Sequence, residues 1–203
     1  MNNYQITLFF KENTKFKNIE LSNTLIENIK ELGEPILLPN NPTLPKEANF
    51  PIIIFNKNKK IHMTGNYQSI IITVNEGNDI EIKDLILKTN NALEKNDIEV
   101  IRIGYGFQTE LEKELINRFK TSHFIMDELK NSINFELSWL SEININNIKV
   151  NCWQRYFTNQ NSENLNVIFD INTKAEEKNI LDKIFLENFM NESEEFIKNN
   201  IYK

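Results

Sequence analysis

Three segments, 133-INFELSWL-140, 148-IKVNCWQRYF-157 and 165-LNVIFDI-171, decide how this chain is read. In each, apolar residues recur at every second position, the period of a strand with one buried face. In the first, Ile133, Phe135, Leu137 and Trp139 share a face. In the second, Val150, Cys152 and Tyr156 oppose Trp153, Arg155 and Phe157. In the third, Leu165, Val167, Phe169 and Ile171 line up. Asn-rich connections join the segments, so the three together predict an antiparallel meander.

Flanking segments carry equally plain patterns. Downstream, the stripe Leu181, Ile184, Phe185, Phe189, Phe196 and Ile197 predicts a long C-terminal helix of roughly twenty residues. Upstream, Ile98–Phe107 predicts a strand, with Glu99, Ile101, Ile103, Tyr105 and Phe107 on one side and Val100, Arg102, Gly104 and Gly106 on the other. Thr109 and Glu112 have the spacing of a capping box, which would open a helix carrying Leu111, Leu115 and Phe119, with a short helix following near Phe124–Lys130. Residues 83–95 read as a helix using Leu85, Ile86, Thr89 and Leu93. Pro51–Phe55, Ile61–Met63 and Tyr67–Val74 form a β-rich block, and Tyr4–Phe10 is a further strand. Between them, Ser22 is placed to cap a helix with Leu25, Ile26, Ile29 and Leu32 inward and Gly33 at its C-terminal end.

Strands occur in runs rather than in strict alternation with helices. The expected class is therefore α+β, with antiparallel meander sheets, helices packed mainly on one face, and a long C-terminal helix. The expected organisation is a single α+β domain over residues 1–203, with sub-domains 1–131 and 132–203 sharing one core as a variant. Each half holds a meander and a helix, which admits an internal duplication, although no motif is shared between them.

Composition narrows the function. The 203 residues include one cysteine, Cys152. An intramolecular disulfide and multi-cysteine zinc sites are excluded, and a reducing cytoplasm is the expected location. The longest apolar runs, Pro51–Phe55 and Ile70–Val74, are too short to cross a bilayer, and the N-terminal residues do not read as a signal peptide. No membrane association is expected. There are 34 Asn and 30 Ile against 5 Gly and 5 Pro. That bias is expected of AT-rich coding DNA, as in a low-GC bacterium or its phage. The net charge of −6 disfavours general binding to phosphate backbones and suits a basic partner.

Catalytic signatures that depend on glycine or cysteine are missing. There is no G-x-S-x-G elbow and no Walker A loop. Gly104-Tyr105-Gly106 is the one G-x-G, and the preferred reading is a β-bulge or a close backbone approach. Cys152 alternates with Val150 and reads as a small buried hydrophobe. His123 and Asp127 have i, i+4 spacing, but two ligands do not make a metal site. Glu81-Ile82-Lys83 matches the E-x-K fragment of a magnesium-dependent nuclease without the upstream acidic partner such a site needs. No catalytic residue, metal site or cofactor is therefore assigned.

Two features point to binding. Trp153, Arg155 and Phe157, with Lys149, sit on one strand face and include side-chain types that dominate protein interfaces. The plainer expectation for that face is packing beneath a helix with Arg155 reaching out to water. The second feature is the basic turn Lys57, Lys59, Lys60 and His62, a candidate nucleic-acid contact that reads more simply as a solvated hairpin tip.

Ile101-Arg102-Ile103-Gly104-Tyr105-Gly106 between two helices, and Phe169-Asp170-Ile171-Asn172-Thr173 leading to a terminal helix, resemble a sporadically distributed bacterial and phage family of unassigned activity. Its members carry an R-x-G-x-R-Y-type strand. Here the segment reads R-I-G-Y-G-F, without the second arginine. The resemblance implies no catalytic residues and a patchily inherited, mobile gene. The resulting expectation is a non-enzymatic protein-binding module, such as a phage- or mobile-element-encoded modulator of a host defence protein. A nucleic-acid-binding subunit comes next, and a metal-dependent nuclease or hydrolase last. A protein partner is expected, and homo-oligomerisation is left open.

Overall fold

A computed structural model describes residues 2–11, 17–39, 41–45, 49–56, 60–75, 79–123, 134–145, 147–158, 164–174 and 182–201. Among these residues the elements run β1 (Asn3–Phe10), α1 (Asn18–Asn28), β2 (Ile36–Leu37), β3 (Ile52–Phe55), β4 (Ile61–Gly65), β5 (Ser69–Asn75), α2 (Asp79–Glu94), β6 (Val100–Leu111), α3 (Lys113–His123), β7 (Glu136–Ile145), β8 (Ile148–Thr158), β9 (Leu165–Thr173) and α4 (Lys183–Asn200). The nine strands form one sheet in the order β2-β3-β4-β5-β1-β6-β9-β8-β7, with every pair antiparallel. The α+β class and the C-terminal helix are as the sequence predicts, in a fold that is rich in strand.

The two predicted meanders are the wings of this sheet. β3-β4-β5 reaches the centre through β1, and β7-β8-β9 reaches it through β6. Among the described elements the order strand, helix, meander, helix occurs twice: β1-α1-β2-β3-β4-β5-α2, then β6-α3-β7-β8-β9-α4. The two runs differ by the two-residue strand β2, and they meet where β1 pairs with β6. The repeated order needs no shared sequence motif, because a meander needs alternation and turns, not particular residues.

Register keeps one face apolar along a row from β3 to β9. Ile54, Met63, Ile72, Ile6, Tyr105 and Ile171 are partners in succession along one row, each at most 1% exposed. Helix side chains reach this face. Phe119 of α3 stacks on Tyr156 with ring centroids 4.6 Å apart, and Phe196 of α4 meets Phe169 edge-on at 6.4 Å. Leu85, Ile86, Thr89 and Leu93 of α2 are all buried, as their spacing predicts. A partly buried ion pair, Lys83 Nζ to Glu194 Oε2 at 3.7 Å, links α2 to α4.

Local details depart from the sequence reading for identifiable reasons. Ser22 is not a cap: it lies inside α1, fully buried, and its Oγ donates to Ile19 O at 2.9 Å. Gly33 ends no helix. Its N–H donates to Phe55 O at 2.8 Å, beside the bridge between Leu32 and Asn56. Thr109 and Leu111 belong to β6, which keeps pairing with β9 as far as Leu111↔Leu165, and the Thr109 hydroxyl donates to Asn2 Oδ1 at 2.7 Å. A continuing ladder satisfies more backbone groups than a cap there could. A register shift between Phe9 and Phe10 pairs them with Arg102 and Val100. The extra residue, Ile101, turns Val100 to the buried side, against the simple alternation. Ile184 is 67% exposed and lies off the α4 stripe, which Leu186 and Met190 complete. The expected helix near Phe124–Lys130 lies outside the described residues.

Candidate functional site

The opposite face of the sheet is accessible along its central rows, and one row contains both groups of candidate residues. Cross-strand partners run Phe55–His62–Thr73–Gln5–Gly106–Asp170–Trp153–Leu140, from β3 to β7. At about 4.8 Å per strand, this row spans roughly 34 Å. Its ends are aromatic or apolar and its middle is small and polar.

At the β8 end, Trp153 is 52% exposed and Leu140, directly opposite it, is 68% exposed. Trp153 thus does not pack beneath a helix. Arg155 lies on the same face, with Nε 2.8 Å from Glu136 Oε1, Nη2 donating to Glu136 Oε2 at 3.0 Å, and its guanidinium 4.6 Å from the Phe157 ring centroid. Phe157 is half-buried. Lys149 Nζ lies 2.8 Å from Glu142 Oε1, and Lys174 pairs with the other oxygen of that carboxylate. Hydrogen bonds from Lys149 and then Lys174 hold the Glu142 carboxyl down at about 2. The four sequence-predicted binding residues therefore share one face, but the charge of Arg155 and of Lys149 is already matched.

The centre of the row is a trough. Gly104 and Gly106 both present their side-chain positions to this face. A Cβ on Gly104 would come within 2.3 Å of Asn172 Oδ1, so Gly104 is where the Asn172 side chain lies. A Cβ on Gly106 would meet the Gln5 carbonyl at 3.4 Å, the Gln5 Cβ at 3.5 Å and the Phe169 carbonyl at 4.0 Å, all ordinary contacts. What approaches Gly104 is a side chain from the neighbouring strand rather than the backbone expected there, and the backbone atom nearest a Cβ on Gly106 is the Gln5 carbonyl oxygen. Two depressions lie on this face, of about 460 and 650 Å³; Gln5, Asp170 and Trp153 line both, and Gly106 lines the floor of the first. Asn172 Nδ2 donates to Asp170 Oδ1 at 2.7 Å. Across the second depression Arg102 lies over the Phe9 ring, 3.9 Å from its centroid.

At the other end, His62 stacks on Phe55 at 4.6 Å with ring planes 6° apart. Lys60 is exposed, and Lys57 and Lys59 lie outside the described residues. Five strand intervals, about 24 Å, separate His62 from Trp153, so the two candidate groups form no single contact site.

On the buried face, Cys152 is fully buried, and burial, with the nearby Asp170 charge, pushes its thiol up to about 12. A thiol so rarely ionised is a poor nucleophile. Lys83 of the E-x-K fragment faces Glu194, while the side chains of Glu81 and His123, and all of Asp127, lie outside what is described. Among the described residues no three His, Cys, Asp or Glu side chains gather as a metal-holding group, and no helix is long and apolar enough to cross a membrane.

Sequence reasoning missed Leu140, Asp170, Gln5 and Gly106 as parts of one site. Only the alternation on each strand hinted at their direction, and strand order brought them together. The chain matches no protein-family model and no curated protein sequence.

Proposed function

We propose that this chain is a non-enzymatic protein-binding module whose contact surface is the accessible face of the sheet, centred on Trp153 and Leu140. The observation that carries the reading is that cross-strand pair. Two large apolar side chains, 52% and 68% exposed, stand side by side at the rim of the trough. Scattered exposed hydrophobics are ordinary, but an indole beside a concave, partly polar surface is the arrangement interfaces use as an anchor. The reading takes all the helices to gather on the buried side of one α+β domain, leaving this face free, in a cytoplasmic protein that needs no cofactor. The AT-rich composition suits a phage or mobile-element product that modulates a host protein.

The test is capture of a partner from low-GC bacterial lysates by the wild-type chain, followed by mass spectrometry. A stoichiometric partner should be retained by the wild type and by Ile19→Asp, which changes an exposed residue on α1. It should be lost with Trp153→Asp and with Leu140→Asp. Absence of any stoichiometric partner, or equal capture by all variants, overturns the reading.

The second reading, a nucleic-acid-binding subunit, draws on the aromatic groups at both ends of the row, since bases stack on sheet aromatics. The net charge of −6 opposes it electrostatically. Binding to single-stranded oligonucleotides that weakens steeply with salt would favour it. No binding at low salt removes it.

A further inference from the structure

Resting on the protein-binding reading above, the geometry points to an arginine side chain of the bound protein as the group that enters the corner between Trp153 and Asp170. These residues are direct cross-strand partners, and both line each of the two depressions. Side chains directly opposite each other on antiparallel strands have Cβ atoms about 5 Å apart. A planar guanidinium can therefore lie against the indole while its N–H fork meets the carboxylate.

The surroundings select a cation. Among the described residues Asp170 has no ion-pair partner, and its one hydrogen bond is from the Asn172 amide. The neighbouring cations are held elsewhere: Arg155 by Glu136, and Lys149 and Lys174 by Glu142. Arg102 lines the second depression together with Asp170 and Trp153, and its guanidinium lies over the Phe9 ring, 3.9 Å from the centroid. Asp170 is thus the carboxylate at the corner that has no ion-pair partner among the described residues, on a chain whose net charge is −6.

The two glycines of the R-I-G-Y-G-F strand acquire separate roles in this arrangement. Gly104 makes room for Asn172, whose amide orients the Asp170 carboxylate. Gly106, paired with Asp170 on the other side, keeps the floor of the first depression free of a side chain. An arginine also fits the anchor role of Trp153, because a guanidinium is more weakly hydrated than an ammonium and stacks on aromatic faces.

The test uses the full chain and the peptide acetyl-Gly-Ser-Arg-Ser-Gly-amide, with the same peptide bearing citrulline as its neutral isostere. The readout is the indole N–H resonance of Trp153, assigned by its persistence in Trp139→Phe. The arginine peptide should shift it saturably and bind about tenfold more tightly than the citrulline peptide. Asp170→Asn should abolish that preference, and Gly106→Leu, which puts bulk beside Asp170 in the first depression, should weaken the arginine peptide about tenfold. Glu110→Gln, a carboxylate change elsewhere on the face, should leave both affinities unchanged. Equal binding of the two peptides, no shift at millimolar arginine peptide, or equal weakening by Glu110→Gln and Asp170→Asn overturns the proposal. If a captured partner is lost with Trp153→Asp but is indifferent to Asp170→Asn, the arginine assignment fails and the binding reading stands. Capture unaffected by Trp153→Asp overturns both.

Discussion

Replacing Phe169 by alanine tests the assignment of the two sheet faces, on which the trough depends. Phe169 is fully buried at the middle of β9, edge-on to Tyr156 at 6.2 Å and to Phe196 at 6.4 Å. Loss of a buried phenylalanine costs about 3–5 kcal/mol, within which each edge-to-face contact contributes about 0.5–1.5 kcal/mol. Trp153, on the adjoining strand but on the other face, is half exposed, and its replacement by alanine should cost about 1 kcal/mol or less. With a urea slope of about 2 kcal/mol/M, a loss of 4 kcal/mol moves the unfolding midpoint down by about 2 M, while Trp153→Ala moves it by about 0.5 M or less. The assay is equilibrium urea unfolding followed by far-ultraviolet circular dichroism, which does not depend on the indole being removed. Should Phe169→Ala be too unstable to populate the native state, Phe169→Leu provides a smaller loss of about 1.5 kcal/mol or less in the same direction. A Trp153→Ala cost equal to that of Phe169→Ala would show that the faces are wrongly assigned. A one-residue slip of β9 exchanges its two faces, and the contrast would then vanish.

Other consequences are separately measurable. Gly33→Ala should cost about 1–3 kcal/mol in the same unfolding assay, because its Cβ would lie 2.9 Å from the backbone oxygen of Phe55, which cannot rotate away; an unchanged midpoint would show that the loop yields freely. Cys152 should resist a thiol-modifying reagent at pH 8 in the folded protein and react at once in urea, and rapid native-state modification would contradict its burial. Since burial raises this thiol to about 12, its contribution to stability is complete below its unfolded value near 9 and is lost as pH rises between the two. The Glu142 carboxyl should titrate at about 2 by carboxyl-detected NMR, and Lys174→Ala should raise that value. Whatever stability the cluster adds is present above the ordinary carboxylate range near 4.5 and disappears as pH falls towards 2.

Much of the fold is legible in the amino-acid sequence. The alternation of Ile148–Thr158 and Leu165–Thr173 places Cys152, Tyr156 and Phe169 on one side and Trp153 and Arg155 on the other, and both assignments hold. The stripe of α2 is equally plain, because Leu85, Ile86, Thr89 and Leu93 repeat at helical spacing. Errors gather at element ends. Thr109 carries a capping signal, but its strand continues because β9 is alongside to receive its hydrogen bonds. Ser22 is a plausible cap residue by type, yet its small side chain is what fits the buried face of α1. In each case a partner distant in sequence outweighs a local preference.

The candidate site divides in the same way. That Trp153, Arg155 and Lys149 share a face follows from a period of two, a property of any extended chain of L-residues. Whether that face meets water or a helix does not follow, since a strand can bury either side. Trp153 is exposed because the apolar row from Ile54 to Ile171 forms the covered side of the sheet. Strand order is the other decision left to tertiary structure. Pairing β6 with both β1 and β9 brings Gly106 between Gln5 and Asp170, residues separated by 165 positions in the chain. Local sequence therefore determined the strands, the helix stripes and the side of each strand that is apolar, because these depend on dihedral preference and periodicity within a few residues. The strand order, the open face and the trough between Trp153 and the two glycines were decided only by which distant edges paired, a choice set by the summed burial of the whole core.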